Sequence, residues 1–161
     1  MIEPDLILRW LHVIGACVLL GTGAGIAFFM LMAVRSRIPA VIAQVAAWVV
    51  IADLIFTATA VIAQPVTGIL LAHELGWDLT EGWLLLSIGL YAFTGAFWLP
   101  VVWIQLRLRD LARVAAAQGA PLPPAFDQLY RIWFLCGIPA FFAVLAIIWL
   151  MLARPDIPLW K

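Results

Sequence analysis

The chain holds four apolar runs, each long enough to cross a lipid bilayer, with almost no charge inside them. They lie at about residues 6–34, 41–72, 82–106 and 132–153. A bilayer core takes about 20 apolar residues as a helix. The first two runs exceed that length, so they tilt or extend past the hydrocarbon. Backbone polar groups find no water in lipid, so each spanning segment must close its own hydrogen bonds as a helix. The expected fold is all-α, an integral membrane antiparallel four-helix bundle forming a single domain over residues 1–161. Composition agrees. The chain is 66% hydrophobic and 11% charged, whereas a soluble domain is nearer half apolar and a quarter charged.

The breaks between runs are clear. Arg35-Ser36-Arg37-Ile38-Pro39 separates the first two, and Pro39 suits a helix start. His73 to Glu81 separates the second and third. The longest connector opens with Arg107 to Arg113, which continues the third helix into water. Gly119 ends it, and Pro121, Pro123 and Pro124 make an extended turn. The acidic start, Met1-Ile2-Glu3-Pro4-Asp5, and the length of the first run do not fit a signal peptide.

Arg35, Arg37, Arg107, Arg109, Arg113 and Arg131 fall on one side of the bundle. Arg9, Arg154 and Lys161 share the other with six acids: Glu3, Asp5, Glu74, Asp78, Glu81 and Asp156. The arginine-rich side is therefore expected in the cytoplasm, with both termini and the His73 loop outside, in the periplasm for a bacterial inner membrane. Nine basic and nine acidic residues give no net charge, which argues against a nucleic-acid partner. Cys17 and Cys136 lie in opposite halves of the membrane and are expected as small buried hydrophobes rather than a redox pair. No Ser–His–Asp spacing, His-x-x-x-His or Cys-x-x-Cys is present. Nucleophilic and structural-zinc sites thus find no support.

Polar side chains are costly in lipid, so each asks for a reason. His12 lies six residues into the first run, about 9 Å along a helix. Its face carries Gly15, Ala16, Leu19 and Gly23. A ring beside a flat stripe of small residues suits a planar cofactor such as haem, for which histidine is the usual axial ligand. Alternatively, His12 hydrogen-bonds across helices and the small residues, with Gly21 and Gly25, admit a neighbouring helix. His73 sits at the outer end of the second run, in the same leaflet as His12. It is either a second ligand, brought inward by a tilt or a bend at Pro65, or an interfacial loop residue. Arg9, one turn outward of His12, either neutralises a cofactor carboxylate or snorkels to the interface.

Asp53 is the most expensive residue in the chain, in the middle of the second run. Thr57, Ala60 and Gln64 share its helical face. That polar stripe should face the bundle, as a proton relay or substrate contact, or as an interhelical hydrogen bond. Ser87, Tyr91, Thr94 and Trp98 form a matching stripe on the third run. Pro65 is a point where a helix carbonyl is freed. Trp77, Trp83, Trp103, Trp133 and Trp160 are expected as interfacial anchors.

Several segments together resemble one family. They are Arg9-Trp10-Leu11-His12-Val13-Ile14-Gly15, Gln64-Pro65-Val66-Thr67-Gly68, Gly76-Trp77 with Gly82-Trp83-Leu84, Phe97 to Arg107, and Arg154-Pro155. They resemble the predicted integral membrane proteins of domain-of-unknown-function family 2269 over nearly the whole chain. More distantly, a basic residue followed by Leu-His-x-x-Gly is similar to bacterial four-helix protoporphyrinogen oxidase and to the copper-resistance D-type membrane domain. The first of these implies haem b held by the span-one histidine, here His12. Its span-three lysine corresponds to Ser87 here, and its Asn-Glu before the span-four proline to Gly137-Ile138 or Cys136-Gly137.

The reading that follows is a membrane b-type haem protein for electron transfer or for oxidation of a small membrane-accessible substrate, a quinone or a tetrapyrrole. His12 and His73 would hold the iron, Arg9 and Gly15 would border the cofactor, and Asp53 and Gln64 would handle protons. The alternative is a cofactor-free transport or binding protein using the Asp53 stripe, and a third is a scaffold subunit. Either form can assemble as a homo-oligomer in the bilayer.

Overall fold

The computed structural model describes residues 3–158, so Trp160 and Lys161 lie outside the described residues. Four long helices follow one another: α1 (Pro4–Ser36), α2 (Pro39–Glu74), α3 (Gly82–Gln118) and α4 (Pro124–Ala153). All four are long and apolar enough to cross a membrane, and no strand occurs among the described residues. Short connectors force successive helices to run antiparallel, as the sequence led us to expect.

Local chemistry sets the helix ends. Pro39 and Pro124 stand in the first turns of α2 and α4, where a missing N–H breaks no intrahelical bond. Gly119 closes α3 with a φ of 60°, and the Ala120 N–H donates to the Ala115 carbonyl at 3.0 Å, the Schellman pattern. Thus α3 does continue through the arginines of the connector. The fourth helix also starts earlier than its apolar run, at Pro124, with Asp127 in the first turn favouring the positive helix end.

The second helix is not uniform. Residues Asp53–Thr57 form a π-helical turn, in which the Ala58 N–H reaches back to the Asp53 carbonyl. The wider turn rotates the residues after it relative to those before. Ahead of this turn α2 packs closely on α3 and also on α1; beyond it, α2 stays on α1 and makes no comparable contact with α3.

Two apolar clusters bracket the bundle. The larger, at the arginine-bearing end, gathers Met30, Ile42, Leu108, Phe126 and Trp133 with their neighbours. Trp133, expected at an interface, is thus a core residue, because its indole N–H has a partner inside the bundle. The smaller cluster joins Ala72, Trp83, Leu84 and Leu150 at the opposite end. There the loop before α3 and the tail after α4 interlock. The Arg154 guanidinium lies 4.3 Å from the Trp77 ring centroid, and Trp77 meets Trp83 edge-on at 5.3 Å. The Trp83 indole N–H donates to Glu81 at 2.6 Å. A Cβ on Gly82 would strike the Ile157 carbonyl. In the same loop, the Thr80 N–H and hydroxyl both donate to Asp78 and hold its carboxyl below the usual range. Between the two clusters the buried residues are small or polar: Ala60 and Ala143, with Asp53, Thr57, Gln64 and Ser87.

Candidate functional site

This polar layer divides into two centres. The first lies where α1 meets the second half of α2. The Thr67 hydroxyl donates to the Ala63 carbonyl at 2.8 Å, and its oxygen lies 3.0 Å from His12 Nδ1. A hydroxyl has one proton. Where that proton goes to Ala63, or to the Gln64 carbonyl at 3.2 Å, the Thr67 oxygen accepts from His12, so that Nδ1 carries the hydrogen and Nε2 keeps a lone pair. No hydrogen bond to Nε2 occurs among the described residues. The ring abuts Gly68, where a Cβ would sit 3.1 Å from Cε1.

Gln64 locks the same junction. Its amide nitrogen donates to the His12 carbonyl at 2.8 Å. A Cβ on Gly15 would lie 2.6 Å from that nitrogen, so Gly15 is what lets Gln64 approach. The stripe of small residues is therefore covered by α2 at Gly15 and stays open at Gly23. Pro65 cannot donate to the Val61 carbonyl. The Tyr91 hydroxyl donates to it instead and ties α3 to α2. The freed carbonyl anticipated from the sequence thus exists and is satisfied across helices.

The second centre is built on Asp53, which is 5% exposed. The Trp98 indole N–H donates to its Oδ1 at 3.3 Å. The Gln105 amide has one orientation that satisfies both its ends. Its nitrogen then donates to Asp53 Oδ2 at 3.1 Å, and its oxygen accepts from the Trp133 indole N–H at 3.3 Å. Asp53 thus faces α3 and α4, while Gln64 faces α1. The two share the buried side of α2, but the π turn gives them different neighbours.

The other candidates lie apart. His73 is exposed, six residues beyond Thr67, which is about 9 Å along α2. Arg9 is paired with Asp5 on its own helix at 2.9 Å. Ser87 and Thr94 donate to carbonyls of their own helix, Trp83 and Leu90. Cys17 and Cys136 are both free. The structure therefore joins His12, Gly15 and Gln64, keeps Asp53 separate, and leaves His73 and Arg9 toward the end of the bundle opposite the arginine-bearing connectors. Thr67, Gly68 and Gln105 are the members the sequence reading missed. The first two follow Gln64 by one helical turn, and Gln105 follows Trp98 by two, so shared helical faces were the available signal.

These features define a class: a four-span α-helical membrane protein whose interior changes from apolar to polar and back along the bundle axis. Within that class, the chain belongs to the family of predicted integral membrane proteins termed DUF2269, whose profile matches residues 6–155. No curated protein and no solved structure matches the chain.

Proposed function

We propose that this protein is a membrane b-type haem protein in which His12 Nε2 is an axial ligand, serving electron transfer or oxidation of a small membrane-accessible substrate such as a quinone or a tetrapyrrole. One observation carries the reading: His12 Nδ1 lies 3.0 Å from the Thr67 hydroxyl, while no hydrogen bond reaches Nε2 among the described residues. A ligating imidazole needs this arrangement, since the remote ring nitrogen fixes tautomer and ring orientation through an acceptor. Gln64 holds the α1 backbone at His12, and Gly68 leaves the ring room. Haem, when bound, supplies one-electron chemistry. The protein supplies the ligand, its orientation and a dry surrounding. His73, exposed at the end of α2, is the one other histidine available as a ligand. Asp53, with no cation among its hydrogen-bond partners, supports a second reading, cofactor-free binding or transport of a small solute. The arginine distribution supports a bacterial inner membrane with both termini outside.

The test is haem content after purification from cells supplied with a haem precursor. We expect haem in the wild type, loss of most of it in His12→Ala, and retention in Thr67→Ser. Equal haem content in wild type and His12→Ala would overturn the assignment. A colourless wild type whose solute uptake depends on Asp53 would establish the second reading.

A further inference from the structure

We propose that Asp53 is a proton-exchange site reached by internal water from the arginine-bearing end of the bundle. The proposal shares no residue with the His12 centre and stands or falls independently of the haem reading.

Asp53 is isolated from other charges. Apart from His12, whose ring meets Thr67 of α2, no acidic or basic residue occurs between Arg9 and Arg35 on α1, between Gly82 and Leu106 on α3, or between Arg131 and Arg154. On α2 the nearest such groups are His73 and Glu74, near its far end. From α3 the carboxyl meets Trp98 and Gln105, and through Gln105 it reaches Trp133 of α4. These partners are neutral. A buried carboxylate without a cation is expensive to keep, and in membrane spans such a group is functional by default.

Of two buried hydroxyls, Tyr130 OH has no hydrogen-bond partner among the described residues, and Thr57 Oγ1 has none beyond the Asp53 carboxyl beside it. Thr57, 7% exposed, follows Asp53 within the π turn. Tyr130 stacks on Trp133 with centroids 5.8 Å apart. The two hydroxyls bracket one chain of side chains: Thr57 next to Asp53, then Gln105, Trp133 and Tyr130. Buried hydroxyls are almost always satisfied, and internal water does this where protein groups do not. Counted from the arginine-bearing ends of their helices, Tyr130 lies about 9 Å deep, Trp133 about 13 Å and Asp53 about 21 Å. In the other direction, the next buried polar group of α2 is Gln64, about 16 Å further and committed to His12. The polar route thus opens toward one end. The chemistry needs no redox partner. A proton from water adds to a carboxylate oxygen of Asp53 and leaves by the same route.

The test is infrared spectroscopy of the full chain in lipid vesicles, following the carboxyl stretching band with pH and on transfer to deuterated water. Labelling with carbon-13 aspartate identifies the band without a substitution. The expected result is an aspartate carboxyl band that titrates reversibly, is absent in the near-isosteric Asp53→Asn, and shifts promptly in deuterated water. In Thr57→Val/Tyr130→Phe the band persists, but its deuterium shift slows by an order of magnitude. The proposal is overturned if no such band depends on Asp53 at any pH where the protein stays helical. It is equally overturned if the double variant exchanges as fast as the wild type.

Discussion

One hydroxyl decides what the His12 ring can do. Where Thr67 donates to the Ala63 or Gln64 carbonyl, it accepts from Nδ1, and that choice frees Nε2. Thr67→Val should remove this bond at a cost of about 1 kcal/mol, read as a lower unfolding midpoint in detergent. It should also change the spectrum of bound haem, because the ring loses its fixed orientation. Thr67→Ser should restore both, and an unchanged spectrum in Thr67→Val would remove the positioning role. His12 and Gln64 were legible in the sequence because polar groups in lipid stand out. Thr67 was not, since a membrane threonine ordinarily bonds its own helix, and here it does that as well. Gly15 was legible as a small residue, but its purpose was not: it accommodates the Gln64 amide rather than a bare flat face.

At the scale of the element, α2 carries the information. Its proline was readable as a freed carbonyl, and the structure supplies the partner, Tyr91. Tyr91→Phe should leave the Val61 carbonyl unsatisfied and destabilise by about 1–3 kcal/mol. Pro65→Ala restores a backbone N–H for the same carbonyl, so the second substitution should cost much less in that background. Unfolding measurements on the four members of this double-mutant cycle check the coupling. Additive losses would show that Tyr91 does not serve the carbonyl. The π turn left no mark in the sequence. It falls where α2 parts from α3 while staying beside α1, and only the assembled bundle reveals that. For this reason the stripe from Asp53 to Gln64 reads as one surface in sequence and divides in space.

Across the whole molecule, the four helices, their order and their membrane character followed from the apolar runs. The interlock at the end opposite the arginines did not, because it joins a loop to a tail some 75 residues later in the chain. Gly76, Trp77, Gly82 and Arg154 looked like isolated motif residues, yet three of them, Trp77, Gly82 and Arg154, meet there. Gly82→Ala should displace the tail at Ile157, costing about 1–3 kcal/mol as an overpacked contact and exposing the tail to limited proteolysis. Arg154→Ala should lose about 0.5–1 kcal/mol from its contact with Trp77, with the tail left in place. Equal protease resistance in Gly82→Ala and wild type would contradict this packing.

The bundle as a whole places a polar layer between two apolar clusters, with a histidine nitrogen left free in it, and the central claim is that this nitrogen binds haem iron. The most direct measurement is the absorbance spectrum of the detergent-purified protein before and after dithionite, from cells supplied with a haem precursor. A Soret band that sharpens on reduction, with resolved α and β bands that disappear in His12→Ala, is the predicted result. A flat spectrum at full haem supply would contradict it and make His12 a packing residue.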